Sequence, residues 1–503
     1  MHPRDHLNAG PARPALVMAA SGETLSYGEL DRRANQWAHL FRRRGLRPGD
    51  RVAIWLGNDP LFFILCWAAQ NSGLYYVPIS SRLNASEAAF IANDSGARLV
   101  VADGRADLDA FAAALEQAEI LPAGTPDVAA MPDTPVPDER RGAAMLYSSG
   151  TTGRPKGIMP ARDAVPSETP TAVTEALVRL YGFGPGSIYL STAPFHHAAP
   201  LKFVMAVQAA GGTVVAMERF DAEAALAAIE RHRVTHSQWV PTMFIRLLAL
   251  PEAVRARHDL SSQVIAIHAA APCPVPVKER MLAWWGPIIH EYYGGSESVG
   301  MCAIGPEEWL ARKGSVGRAA RGNIHILDEA GGERPAGETG LVCFDGGTAF
   351  RYHGEAAAPA LPAGLGTFGD IGHVDADGYL YLTDRRDYVI NVGGVNVYPQ
   401  EAENLLSVHP KVRDVAVFGV PHAELGEEVK AVVQPAPGVA AGDALAAELI
   451  DHCRARLSSI KCPKSVDFET DMPREETGKL FKRRLKARYW PGPAPATEEV
   501  MAR

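Results

Sequence analysis

An eleven-residue stretch, YSSGTTGRPKG at residues 147–157, constrains this chain more than any other, because it sets hydroxyls, glycines and one lysine where almost nothing can pack a core. Gly150, Gly153 and Gly157 open backbone conformations closed to other residues, so successive N–H groups can turn toward one anion. Ser148, Ser149, Thr151 and Thr152 add hydroxyl donors, Lys156 adds a mobile positive charge, and Pro155 stiffens the turn before that lysine. A plain polar turn is the competing reading. The apolar run AAML leads directly into the stretch, which favours a strand ending near Tyr147 that delivers a polyphosphate-binding loop. The spacing is not GxxxxGK followed by Ser or Thr, since Gly157 follows Lys156, and a Walker-type NTPase is disfavoured.

Around that loop the chain alternates strand and helix signals. Residues 25–45 place Leu30, Ala34, Trp37, Ala38 and Phe41 at helical spacing, behind Ser26 as N-cap and ahead of Gly45 as a stop. Short strands are expected at 50–55, 74–78 and 98–101, with a helix over 60–70. Such alternation predicts an α/β fold with a doubly wound sheet. Five prolines in residues 122–142 mark a surface connection. With 503 residues the chain exceeds what one core organises, so at least two domains are expected. Beyond Pro399 the pattern is a compact α+β unit, with a helix through Leu406, strands at 414–420 and 429–434, and a helix over 443–457.

The net charge of -8 carries no long run of one sign, which gives no support for nucleic acid or an anionic membrane as partner. Six scattered cysteines without a CxxC pair suit a reducing compartment. The opening MHPRDHLNAG lacks the apolar core of a signal peptide, and the most apolar run, 61–69, is too short to cross a bilayer. A cytoplasmic protein without integral membrane association is expected. The oligomeric state is left open, a homodimer included.

Further chemistry sits downstream. His196 and His197 could suggest a metal, but adjacent side chains are expected to diverge and no third ligand lies at useful spacing. The run VIAIHAAA at 264–271 is a strand signal ending in small residues, Ala269, Ala270 and Ala271, where a flat ligand can approach the backbone. In IIHEYYGGSESVG, residues 288–300, an acid falls beside the suspected phosphate site. Glu297 is therefore expected to hold Mg²⁺ on ATP phosphates, an ion that takes few protein carboxylates. Asp375 and Asp377 in DADG read as a hairpin turn. The four cations Lys482, Arg483, Arg484 and Lys486 read as a solvated basic helix.

Taken in order, YSSGTTGRPKG, PFHH, YGGSE, GDIG with its following arginine, and PREETGKLFKRRL resemble the motifs of the adenylate-forming enzymes, the superfamily of acyl-CoA synthetases, peptide-synthetase adenylation domains and beetle luciferases. The resemblance covers nearly the whole chain and is greatest to fatty or aryl acid–CoA ligases. It implies ATP, Mg²⁺ and coenzyme A as cofactors, with Thr151 and Glu297 around the metal. It also implies a large N-terminal domain over 1–386 that binds ATP and the acid, and a small mobile domain over 387–503 turning about Asp387. By the same resemblance Tyr293 stacks on adenine, with Gly294, Ala270 and Ala271 along the purine, and Ser296 stands for the usual threonine. Asp370 would take both ribose hydroxyls, as one carboxylate can, helped by Arg385. His196 would line the passage between acyl and nucleotide pockets, and Lys479 would cross from the small domain into the active site. Ile390, Val392, Gly393 and Gly394 would line the pantetheine tunnel, while Asn391 replaces a lysine found in some relatives.

The acid pocket is expected from His196, Ala198, Trp239, Met243, Ala269, Gly295 and Gly300. These are mostly apolar or small, with no evident lysine or arginine, which points to a monocarboxylic fatty or aryl-containing acid. No DSL-type attachment serine follows Lys479, so free CoA is favoured over a carrier-protein phosphopantetheine. A noncatalytic protein that binds AMP or acyl-AMP is a further alternative, and a light-emitting oxygenase on the same fold is formally open.

Overall fold

Ser26 and Glu29 cap each other's backbone N–H groups and start the helix Tyr27–Arg43, whose Leu30, Ala34, Trp37 and Phe41 turn one buried face inward. The helix Pro60–Asn71 has no polar face at all; every residue in it is buried. The reason is its place between two sheets, as the computed structural model of the chain shows for residues 1–104, 107–148, 155–161, 164–347, 350–353, 361–362, 364–474 and 480–490.

One sheet is five-stranded and parallel, in the order Glu119–Pro122, Leu99–Ala102, Arg51–Trp55, Tyr75–Pro78 and Ala143–Ala144. The other has nine strands. Its parallel centre runs Ile289–Gly294, Ile265–His268, His236–Trp239, Ile188–Ser191, Thr213–Ala216 and Pro14–Met18, with antiparallel strands on both edges. Val52 and Ile54 of the first sheet and Val214 and Ala216 of the second meet Phe62 of the helix in one apolar cluster. The expected α/β layering is what the chain adopts.

Three smaller sheets complete the molecule. Leu146–Ser148 and Lys156–Pro160 pair antiparallel, Ser148 opposite Lys156, and so flank the glycine-rich stretch. A four-stranded antiparallel sheet ends with Gly366–Val374 and Leu380–Arg385, joined through the expected turn, where Asp375 Oδ1 accepts from the Asp377 and Tyr379 N–H groups. After the short 3-10 turn Arg386–Tyr388, the last sheet is built on Gly426–Pro435 and Val412–His422. Its apolar clusters run from Ile390 to Leu485 and, among the described residues, include nothing before Asp387. No helix among the described residues is long and apolar enough to cross a membrane.

Candidate active site

Parallel strands present their C-terminal ends on one side of a sheet, and open α/β sheets bind ligands there. In the nine-stranded sheet that side carries Thr192 and Ala193 after Ile188–Ser191, Val240 after His236–Trp239, Ala269 and Ala270 after Ile265–His268, and Gly295 and Ser296 after Ile289–Gly294. Together with Leu177 and Phe203 from two adjoining helices they enclose a cavity of about 240 Å³.

The turn over residues 294–300 forms one wall, and packing dictates its glycines. A Cβ on Gly300 would lie 2.1 Å from Phe344 Cδ1, and one on Gly295 would lie 2.5 Å from Phe368 Cδ1. Gly300→Ala is therefore expected to cost about 1–3 kcal/mol through overpacking, seen as a lowered Tm. Across the cavity Ala270 sits at φ 76°, a left-handed conformation that costs a non-glycine residue about 1–2 kcal/mol. Such strain concentrates at ligand-binding sites. Ser298, at φ 54°, is held from two directions: Arg321 donates to its carbonyl oxygen, and Lys202 Nζ donates to its Oγ at 2.9 Å.

Beside the cavity lies a second polar group. Strand register sets Asp370 opposite Arg385. The buried Asp370 carboxylate accepts from the Tyr293 hydroxyl through Oδ2 and faces Arg385 Nε through Oδ1 at 3.3 Å. Both carboxylate oxygens are thus already engaged, so a ligand binding there would have to share or displace those contacts. The Tyr293 ring packs edge-on to Phe368 at 5.5 Å, and burial, with the Asp370 carboxylate, pushes its hydroxyl well above the usual range. Glu297 lies in the electrostatic reach of both Lys202 and Arg385.

Of the residues expected from sequence, Ala198, Trp239, Ala269, Ala270, Gly294, Gly295, Ser296 and Gly300 line the cavity. Met243 does not; it is buried in an apolar cluster behind Thr192. His197, rather than His196, faces the cavity, and the two rings lie 4.1 Å apart instead of diverging. Burial, and then the His197 and Arg82 charges, hold His196 well below the usual histidine range. Lys156 opens its strand, and Gly394 follows Gly393 in a hairpin where both have positive φ. Asp387 is exposed on the 3-10 turn. Ser149, Gly150, Thr151, Thr152, Gly153 and Lys479 lie outside the described residues, as does the side chain of Ser148.

Three expectations are corrected. Ile390 and Val392 are 0% and 4% exposed and face the core of the last sheet, so their side chains are unavailable to a tunnel. Lys482 is no solvated cation: it is buried, pairs with Glu403 at 2.7 Å and sits 5.0 Å from the Tyr388 ring. And the acid cavity does contain basic residues, Lys202 and Arg321. Lys202 follows Ala198 by four residues in the helix Ala198–Ala209, so it shares the face that lines the cavity. That spacing was a signal available in the sequence. Arg321 was not, since it arrives on a strand opposite Met301.

The sequence pattern described as AMP-binding enzyme matches residues 4–352, and that described as AMP-binding enzyme C-terminal domain matches residues 401–479. The chain belongs to the AMP-binding enzyme family. Among its relatives, a feruloyl-CoA synthase of Amycolatopsis sp. is 34% identical over 484 residues, covering 94% of this chain and 96% of that protein. A fatty acid–[acyl-carrier-protein] ligase, ScoC of Streptomyces coeruleorubidus, is 31% identical over 96% of this chain and 95% of its own length. The crystal structure of ATP-bound MatB from Rhodopseudomonas palustris matches with a TM-score of 0.82 at 27% identity, over 95% of this chain and 96% of that one. Family membership bears out the adenylate-forming resemblance and the expected class of AMP-forming acid–thiol ligases.

Proposed function

We propose that this AMP-binding enzyme is an ATP-dependent carboxylic acid–CoA ligase. Acid and ATP would give acyl-AMP and pyrophosphate, and acyl-AMP and CoA would then give acyl-CoA and AMP. The observation that carries the reading is the adjacency of a mostly apolar cavity to the Tyr293–Asp370–Arg385 group, with Glu297 in the electrostatic reach of Lys202 and of Arg385. That arrangement can hold an acid and a nucleotide side by side.

The first step sets one anion against another at the α-phosphorus, so its barrier is largely electrostatic, and in-line placement supplies much of the rest. In this reading Asp370 and Arg385 take the ribose, Tyr293 the adenine, and the glycine-rich stretch with Lys156 the phosphates. Glu297 would hold Mg²⁺, since that ion accepts one or two carboxylates and leaves its remaining positions to phosphate and water. When bound it neutralises phosphate charge. The boundary would fall at 386/387, where the separate clusters meet, and Asp387 would be the hinge.

The cavity size narrows the acid. A chamber of about 150 Å³ accepts one benzene ring, so about 240 Å³ has room for a ring with a short arm. That size favours an aryl-containing acid over a long fatty one. A pyrophosphate-release assay across an acid panel is expected to rank aryl acids above acetate and above long-chain acids; the reverse order removes this assignment. Carrier-protein phosphopantetheine is the second acceptor to test, because ScoC resembles this chain along almost its whole length. Thioester formation with free CoA and none with carrier protein is the expected result.

A further inference from the structure

The cavity's walls are mostly apolar or small, with Leu177, Phe203, Trp239, Val240 and Met301 among them, yet Lys202 enters it. An ammonium drawn into such surroundings needs a partner, because burial penalises the charged form. Lys202 carries three N–H groups, and among the described residues one of them is used, on Ser298 Oγ at 2.9 Å. The charges around it pull in opposite senses: Glu297 favours the ammonium and Arg321 opposes it. Burial is the largest influence and brings its pKa down to about 8. Of the other polar groups lining the cavity, Thr192 Oγ1 donates to the Gln238 carbonyl, Gln238 Nε2 to the Tyr292 hydroxyl and Arg321 to the Ser298 carbonyl, while His197 and Ser296 also reach the wall.

In the ligase reading above, the reacting carboxylate would lie at the His197 end of the cavity, and depth along the helix would separate Lys202 from it. His197 caps the helix Ala198–Ala209, and Lys202 lies five residues on, about 7.5 Å further along the axis. That interval is comparable to a substituted ring. We propose that the acid bears a second oxygen acceptor on its ring, a carboxylate or phenolic oxygen, and that Lys202 is the residue that selects for it.

This inference rests on the aryl acid–CoA ligase reading above, and one experiment separates the two. Steady-state pyrophosphate release is measured with benzoate and cinnamate, and with their ring-hydroxyl and ring-carboxyl derivatives, for the full chain and for Lys202→Met and Lys202→Arg. The unsubstituted protein is expected to favour oxygen-bearing acids over their parents by at least about tenfold in kcat/KM, the scale of one charge-assisted hydrogen bond. Lys202→Met is expected to collapse that ratio, chiefly through KM, and Lys202→Arg to restore part of it. Hydroxyl and carboxyl derivatives report separately which oxygen is read. If Lys202 only braces Ser298, or meets the reacting carboxylate, every acid loses equally and the ratio stays the same, which overturns the proposal. Absence of preference in the unsubstituted protein overturns it too. No pyrophosphate release with any acid would instead remove the ligase reading itself.

Discussion

Lys479→Ala is expected to slow acyl-adenylate formation by at least about 10², the scale of removing one preorganised charge from an anionic transition state. The same variant should still convert supplied acyl-AMP and CoA to thioester. The two half-reactions place different demands on the site. In the proposed first step negative charge would build on phosphate oxygens and a cation from the small unit would offset it. In the proposed second a thiol would attack an acyl carbonyl, a step that needs no such cation, so the two would call for different arrangements of the small unit. A hinge absorbs such a change over few residues. Asp387, exposed on a three-residue turn between strands with separate cores, is the residue proposed above for that hinge. Pyrophosphate exchange and thioester formation, measured apart, give the test. Equal loss of both would remove the alternation assigned to the small unit.

Lys278→Met should cost up to about 3–5 kcal/mol of stability, the scale of removing one partner from a buried charge, with His268 left as the remaining partner of Glu291. Lys278 is fully buried, donates to Glu291 Oε2 at 2.6 Å and lies 4.6 Å from the centre of the Trp309 ring. His268 Nε2 faces the same carboxylate oxygen at 3.3 Å. Burial opposes ionisation of Glu291, but His268 and Lys278 overcome it and hold the carboxyl down to about 2. Its ordinary value is about 4.3. A depressed carboxyl contributes stability that is complete above the unfolded value and is lost as pH falls from about 4.3 toward 2. Burial also keeps His268 below its usual range, so unfolding takes up a proton there and stability falls further as pH drops through about 6.5. Denaturant melts from pH 7 to pH 3 should show this decline. In Lys278→Met the acid limb should move upward in pH, because Glu291 loses the charge that depresses it. Adding Glu291→Leu should return most of the lost stability, since removing both members of a buried pair is often near neutral. If the double variant is as unstable as the single one, the loss comes from packing around Trp309 and not from an orphaned carboxylate.

That ion group also bears on the site. Glu291 and Tyr293 belong to the strand Ile289–Gly294, and His268 ends the strand before Ala269 and Ala270. Lys278 thus pins, from behind, the two strands that carry the cavity wall and the tyrosine on Asp370.

Much of this was legible in the residues. The Ser26–Glu29 cap, the all-apolar helix after Pro60 and the DADG turn depend on neighbours within a few positions, so local rules suffice. The wall positions Ala198, Trp239, Ala269, Gly295 and Gly300 were found because motif order carries them. His196 was preferred to His197 for the same reason, but it is His197 that lines the cavity. Which of two adjacent rings meets a cavity depends on where the following helix begins, and His197 is its cap. Lys482 read as solvated because its neighbours in sequence are cations, whereas its neighbours in space are Glu403 and Tyr388.

By itself the sequence determined the alternating α/β architecture and the family, since these rest on periodicity and on short motifs whose spacing is their meaning. Only the tertiary structure decided which cations enter the acid cavity and which carboxylates are already partnered. Lys202 and Ser298 are 96 residues apart, and Tyr293 and Asp370 are 77 apart. Contacts of that range are set by helix phase and strand order, which no window of neighbouring residues contains.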